Sequence, residues 1–157
     1  MGSEIERKYL VDVTRWTPRG AGVLYRQGYL SSHQERAVRV RVHGTTAKLT
    51  IKGATHGVTR SEYEYDLPLA DATELLALCE QPLIEKTRHT EEHGEMTWEI
   101  DVFHGDNDGL VVAEVELTAE TQSIEVPAWA TREVSDDPRY YNSNLIAHPY
   151  RTWMKDP

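Results

Sequence analysis

Apolar and polar residues alternate with a period of two along most of the chain, in short runs punctuated by Gly, Asp, Asn or Pro. Such alternation, carried by β-branched and aromatic residues, marks strands with two unlike faces. It predicts strands at 4–11, 23–31, 36–43, 46–53, 59–67, 83–93, 96–103 and 110–118. His43-Gly44-Thr45, His93-Gly94-Glu95 and Gly105-Asp106-Asn107-Asp108-Gly109 read as hairpin connections. Residues 69–80 break the pattern: Leu75, Leu76 and Leu78 approach helical spacing, and Asp71 with Glu74 reads as a capping box. After Thr118 the strand signal fades, and 141–147, just before Pro149, is expected to form a short helix. There is no repeat and no low-complexity linker. The 157 residues suit one domain, 1–157, built mainly of antiparallel sheet, closed or nearly closed.

What alternates with the apolar residues is unusual. The predicted strands carry Glu4-x-Glu6-x-Lys8, Arg39-x-Arg41, Lys48-x-Thr50-x-Lys52, Glu62-x-Glu64, Lys86-x-Arg88, Glu99-x-Asp101 and Glu114-x-Glu116. Residues i and i+2 lie on one strand face roughly 7 Å apart. Two like charges at that distance repel by about 2 kcal/mol at an effective dielectric of about 20. A water-facing surface needs no such pairing and normally mixes its signs. Alternation alone leaves two readings open. In one, the charges face water and Val, Ile, Leu and Tyr fill an ordinary barrel or sandwich core. In the other, the charged faces line a water-filled tunnel and the apolar faces pack outward. The near balance of acids and bases along these strands favours the second. A basic cradle with carboxylates for hard cations is what phosphoryl transfer requires, because that chemistry is mostly positioning and charge neutralisation.

Composition narrows the classes of function. With 17 Lys+Arg against 26 Asp+Glu, the net charge of −9 gives no general basic surface for nucleic acid. Charged residues through the first thirty positions leave no apolar signal core, and no run reaches the roughly 20 apolar residues of a membrane span. A single cysteine, Cys79, excludes an internal disulfide and a cysteine-built zinc site. A cytoplasmic domain without membrane or nucleic-acid partners is therefore expected.

Taken in order, Glu4-Ile5-Glu6-Arg7-Lys8-Tyr9-Leu10, Arg26-Gln27-Gly28-Tyr29-Leu30, Val38-Arg39-Val40-Arg41, Leu49-Thr50-Ile51-Lys52, Glu62-Tyr63-Glu64, Glu85-Lys86-Thr87-Arg88, Trp98-Glu99-Ile100-Asp101-Val102-Phe103 and Ala113-Glu114-Val115-Glu116-Leu117 resemble the CYTH superfamily, the triphosphate tunnel metalloenzymes. The tail from Asp137 to Leu145 is similar to the family's closing segment. One Glu-x-Glu-x-Lys is a weak signal; the ordered set spans essentially the whole chain and is strong.

The resemblance implies a mainly β (α+β) fold, an eight-stranded antiparallel barrel whose charged interior is a tunnel, with a few peripheral helices. It also implies hydrolysis of the terminal phosphoanhydride of a triphosphate, with Mg²⁺ or Mn²⁺. The compact length is most similar to the small bacterial members, many of them inorganic triphosphatases, and homodimers are expected from the family. By the same resemblance, Glu4, Glu6 and Glu116 form the metal site. Glu114 and Asp101 support a second ion or orient the attacking water. Lys8, Arg39, Arg41, Lys52, Lys86 and Arg88 bind phosphate oxygens, Arg as a fork and Lys as a point charge. Tyr29 is placed near Lys86, to gate or polarise a phosphate or simply to form the wall. Glu62 and Glu64 have two roles open, ordering the neighbouring bases, which is favoured, or binding metal, and Glu99 is a further supporting acid. Lys48 has the right parity, but the family more often has an apolar or aromatic residue there, so it stays outside the site.

No residue offers a convincing covalent nucleophile, which favours in-line attack by water. The string His89-Thr90-Glu91-Glu92-His93 matches a zinc-peptidase motif that needs a helix, whereas here it continues a strand. Cys79 is expected to be buried on the Leu-rich helix. Trp16, Trp98, Trp129 and Trp153 are expected in the outer apolar shell, the last two also suiting a plug or dimer contact. No glycine-rich phosphate loop is present. Nucleoside or thiamine triphosphatase, ATP cyclase and a non-hydrolytic polyphosphate-binding module are the competing functions.

Overall fold

The computed structural model describes residues 2–153. All eight predicted strands are present, with ends within three residues of those read from the pattern: β1 (Ser3–Val11), β2 (Val23–Ser31), β3 (Arg36–His43), β4 (Thr46–His56), β5 (Thr59–Asp66), β6 (Ile84–His93), β7 (Met96–Phe103) and β8 (Val111–Glu116). They pair antiparallel in the order β5-β4-β3-β2-β6-β7-β8-β1. The ring closes where Ser3, Glu4 and Ile5 meet Ser61, Arg60 and Thr59. A ninth strand that the alternation does not announce, β9 (Ala130–Glu133), pairs with Tyr9, Leu10 and Val11 of β1. The β3–β4, β4–β5 and β6–β7 hairpins turn at Gly44, Gly57 and Gly94, with φ of 58°, 65° and 63°. A residue with a Cβ reaches that region only at a cost, which is why glycine opens each turn.

The barrel is apolar outside and charged inside. On the outer face of β2, β3 and β4, Val40 and Ala47 pack under Ala72, Leu76 and Cys79 of the helical segment. On the outer face of β1, β7 and β8, Tyr9, Trp98, Ile100, Ala113 and Val115 are covered by Trp16, Leu117, Ile124 and Trp129. Trp16 anchors this cover by donating its indole N–H to Glu91 at 2.6 Å. A third cluster lies at one end of the ring, where Leu10, Ile84, Phe103 and Val112 from the strands meet Val134, Tyr140, Leu145 and Ile146 from the chain after β9. This closing segment plugs that end, and Trp153 packs into the same cluster.

Two helical expectations need correction. The helix, α1 (Leu69–Leu78), is capped by Pro68 without any side-chain cap bond, so Asp71 lies inside its first turn and Asp71 with Glu74 forms no capping box. A carboxylate there still complements the positive end of the helix dipole. Around 141–147 the structure has a 3₁₀ turn, Asn142–Leu145, in place of a longer helix. The remaining peripheral helices are likewise short 3₁₀ turns. Among the described residues no helix is long and apolar enough to cross a membrane.

The plug makes a testable demand on stability. Leu145 is 1% exposed and fills the closed end of the barrel. Leu145→Ala should lower the unfolding free energy by about 2–5 kcal/mol, the usual cost of a buried leucine cavity. Urea denaturation is the measurement, and a change below about 1 kcal/mol would mean that the segment is not packed as described.

Candidate active site

The alternation that puts Ile, Val and Trp on the outside turns the charged residues inward, onto a cavity of about 330 Å³. Glu4, Glu6, Lys8, Arg39, Arg41, Lys52, Glu62, Glu64, Lys86, Arg88, Glu99, Glu114, Glu116 and Tyr29 all line it. Ring order sorts their signs. The neighbouring strands β4, β3, β2 and β6 contribute Lys52, Arg39, Arg41, Lys86 and Arg88, with β2 itself adding no inward charge. The other four, β7, β8, β1 and β5, contribute Glu99, Glu114, Glu116, Glu4, Glu6, Glu62 and Glu64, with two bases among them, Lys8 and Arg60, the latter donating to the Gly53 carbonyl. A cationic arc thus faces an acidic arc.

Opposite charges meet where the arcs join. Lys52 stands opposite Glu62 across β4 and β5, and its Nζ lies 3.5 Å from Glu62 and 2.8 Å from Glu4. At the other seam Arg88 holds both oxygens of Asp101, at 2.8 and 2.9 Å, and reaches Glu99 at 3.1 Å. Lys86 Nζ adds a third contact to Asp101 at 2.8 Å. Lys8 Nζ lies 3.4 Å from Glu114.

Away from the seams, compensation fails in both directions. Among the described residues Arg39 and Arg41 have no carboxylate within ion-pair distance. Arg39 donates to the Thr50 hydroxyl at 3.2 Å while its buried Nε has no partner, and Arg41 donates to Gln27 Oε1 at 3.0 Å. Burial, with Arg39 and Arg88 nearby, lowers the Arg41 guanidinium to about 10. Burial likewise lowers Lys86 to about 7, helped by Arg88 and Arg41 against the pull of Asp101. Asp101 shows the reverse: burial would raise it, yet Lys86 and Arg88 hold it near 2. On the acidic side, burial and the charges of Glu114 and Glu4 push Glu6 up to about 8. Glu4 is also raised, by burial and Glu62. Glu114 is held well below the usual range against its burial, by Lys8, Arg88 and Lys86.

Asp101 is the one predicted site residue that does not reach the cavity wall. It is 1% exposed and sits behind Lys86 and Arg88 with its oxygens spent on them, so this geometry suits a positioning anchor better than a metal ligand or water base. Lys48, left out of the site by its departure from the family pattern, pairs with Asp66 and is absent from the lining. His89 and His93 lie on β6, an extended strand that spaces residues four apart by about 13 Å, too far to share one metal ion. Cys79 is buried, as expected.

Several site residues escape a reading of charges. Thr50, between Lys48 and Lys52 on β4, lines the cavity, and Gln27 on β2 lies behind the lining, bonded to Arg41; neither carries a charge, and both are completely buried. Ser135, Tyr141, Asn142 and Ser143 come from the plug and form part of the cavity lining. Lys8 Nζ donates to the carbonyl of Tyr140 at 3.1 Å, and Lys86 Nζ to Asn142 Oδ1 at 2.8 Å. The plug therefore holds two of the site's bases. Among the described residues no three carboxylate, imidazole or thiol groups are gathered at metal-binding distance.

Fold and cavity together define a closed antiparallel barrel that encloses a charge-sorted cavity where most barrels have an apolar core. The chain belongs to the CYTH domain family, whose pattern matches residues 2–144. It is 47% identical over 156 residues to the inorganic triphosphatase of Acetivibrio thermocellus, covering 99% of this chain and 100% of that one. It is 35% identical over 150 residues to the inorganic triphosphatase of Nitrosomonas europaea, covering 91% and 96% respectively. The crystal structure of the inorganic triphosphatase NE1496 superposes with a TM-score of 0.64 at 34% identity, over 93% of this chain and 95% of that one.

Crowding at Glu6 has a measurable sign. Its carboxyl is raised from 4.5 to about 8, so the stability it contributes is full below about pH 4.5 and is lost as pH climbs through 8. Glu6→Gln removes that penalty while keeping the shape. At pH 9, with chelator present, the variant should melt about 2–4 °C above the parent, and the gap should close near pH 4. An unchanged or lower melting temperature at pH 9 would contradict the crowding.

Proposed function

We propose that the protein hydrolyses the terminal phosphoanhydride of inorganic triphosphate or a similar linear triphosphate, with Mg²⁺ or Mn²⁺, by direct attack of water. The observation that carries this reading is the pair Arg39, buried, and Arg41, half-buried, on one strand face with no carboxylate partner among the described residues, across the cavity from crowded, partly uncompensated acids. A linear polyanion bridged to the acids by a hard cation completes both halves at once. The names of the relatives from Acetivibrio thermocellus and Nitrosomonas europaea point the same way.

The donor set suits such a cation. Glu4, Glu6 and Glu116 offer only oxygen, and burial together with neighbouring carboxylates raises the carboxyls of Glu4 and Glu6, a cost that a nearby cation would relieve. A divalent ion held there would neutralise phosphate oxygens and polarise the phosphoanhydride. The chain's own residues do the rest. Lys8, Arg39, Arg41, Lys52, Lys86 and Arg88 grip phosphate oxygens, and their fixed charges stabilise what develops on the leaving phosphate. A bound polyanion also restores the proton affinity that Lys86 loses to its cationic neighbours. Glu114, ionised beside Lys8, is the carboxylate placed to orient water, since Asp101 is committed to Lys86 and Arg88. Tyr29 lines the cavity within electrostatic reach of Lys8 and Arg41, where its hydroxyl can polarise a phosphate oxygen.

Nothing in the cavity invites a nucleobase. Of the aromatics on the inner face of β2, Tyr29 is packed into the apolar cluster at the closed end, and Tyr25 already stacks on His43 at 4.4 Å and carries Arg41 and Arg88 at 5.0 and 4.9 Å. Binding energy then comes from the phosphate chain alone.

Two outcomes follow. The value of kcat/KM should fall from triphosphate to ATP to pyrophosphate, because a nucleoside adds bulk without a pocket and pyrophosphate cannot span both arcs. Activity should vanish with chelator and return with Mg²⁺ or Mn²⁺. Steady-state phosphate release across that panel is the assay, and a preference for ATP would overturn the substrate assignment. Separately, Glu4→Gln or Glu116→Gln should reduce turnover by about a hundredfold, the scale of losing one preorganised charge, without unfolding the protein. Near-parental rates at saturating Mg²⁺ would remove these residues from the metal site.

A further inference from the structure

The cationic arc contains one strand without an inward charge, β2, placed between the arginines of β3 and the Lys86–Arg88 pair of β6. Gln27 occupies the inner face there and is 0% exposed. Its Oε1 accepts from Arg41 Nε at 3.0 Å, and its Nε2 donates to Asn142 Oδ1 at 3.1 Å. Asn142 Oδ1 also accepts from Lys86 Nζ at 2.8 Å. Lysine has no acceptor, so the amide orientation of Asn142 is dictated by its partner, and that in turn dictates the orientation of Gln27. A continuous path, Arg41 to Gln27 to Asn142 to Lys86, links two bases on different strands through neutral groups only.

We infer that Gln27 and Asn142 are positioning residues of the phosphate site, an amide relay that aims Arg41 and Lys86 at the substrate, leaving Arg41 without a countercharge and adding none to Lys86 beyond Asp101. The chemistry demands this combination. Two long cationic side chains must be held in one geometry before the polyanion arrives, since ordering them afterwards would weaken binding. A carboxylate holds a cation more strongly than an amide does, but it also satisfies the charge that the substrate is meant to meet. A neutral acceptor does the first without the second, and Gln27, which accepts from Arg41 and donates to Asn142, joins the two bases through one such path. Asn142 belongs to the plug, so the relay also ties the closed end of the barrel to the site. This inference rests on the polyanion-binding part of the proposed function.

The test exploits the near-isosteric acids. Asn142→Asp keeps both hydrogen bonds and adds a charge beside Lys86; Gln27→Glu keeps the bond from Arg41 and adds a charge beside it, but gives up the donor to Asn142 Oδ1. Each should weaken triphosphate binding, measured by calorimetry without metal, by about tenfold or more, the scale of one charge-assisted contact. For Asn142→Asp the melting temperature should stay level or rise, because it gains an ion pair and loses no hydrogen bond. Asn142→Ala should lose about threefold in affinity with a lower melting temperature, having lost orientation without gaining a competing charge. A purely structural amide predicts the opposite coupling, with affinity following stability in every variant. Affinities of the acidic variants within about twofold of the parent, or losses that only track the melting temperature, would overturn the relay. If Gln27→Glu fails to fold, Asn142→Asp at the cavity wall decides alone. A parent protein that binds triphosphate but does not cleave it would defeat the hydrolase reading and leave the affinity comparison decisive. Absence of any triphosphate binding by the parent would defeat both.

Discussion

Like charges enclosed in a barrel can persist only if their neighbours answer them, and the rest of this structure follows from how that is arranged. Every charged strand carries its signs in same-sign pairs, which would repel by about 2 kcal/mol per pair if nothing intervened. Ring order converts the problem into a field. Acidic strands neighbour acidic strands and basic strands neighbour basic strands, and the ion pairs concentrate at the two seams, at Lys52 with Glu62 and Glu4 and at Arg88 with Asp101, with Lys8 and Glu114 pairing inside the acidic arc. The middle of each arc is left unbalanced. A protein optimised for stability alone would interleave the signs; this one keeps them apart across a cavity.

Such an interior contributes little to folding, so stability has to come from elsewhere. It comes from the outer faces, where α1 covers β2, β3 and β4 and the chain around β9 covers β1, β7 and β8. It also comes from the plug, whose apolar side chains meet the one uncharged stretch of the inner wall. Function and packing thus occupy opposite faces of the same strands. Substitutions of inward charges are accordingly expected to act on chemistry more than on fold, whereas outward residues such as Trp98, 0% exposed, belong to stability.

Much of this was legible in the sequence, because period-two alternation survives inversion of the barrel: whichever face is charged, the strands read alike. The ring order was not legible. Along the chain the signs run acid, base, base, acid, base, acid, acid, with neutral β2 interposed, and only the pairing of β2 with β6 and of β5 with β1 gathers them into arcs. Short-range pattern also missed β9, four residues whose strand conformation is imposed by pairing with β1. The family resemblance located the charged site residues but gave Asp101 a place in the cavity. Its parity is correct; two bases reaching back to the same carboxylate hide it, and that depends on side-chain geometry rather than spacing. The plug residues were illegible for a related reason, since Tyr141, Asn142 and Ser143 carry no charge and no alternation.

β2 shows how tightly the two faces are coupled. Its outward Gly28 lies so close under the end of α1 that a Cβ would come within 2.7 Å of Cys79 and Leu83 side-chain atoms. Glycine there lets the helix end press directly on the strand. The adjacent residue on the inner face is Gln27, fully buried between Arg41 and the plug. A strand clamped on its outer side by helix packing gives an amide on its inner side little freedom to move, and an amide is useful between two bases only if it cannot move. The absence of charge on β2 is therefore not a gap in the cationic arc. It keeps the Arg39–Arg41 and Lys86–Arg88 pairs on strands separated by β2, lowering their mutual repulsion, while Gln27 holds Arg41 directly and Lys86 through Asn142.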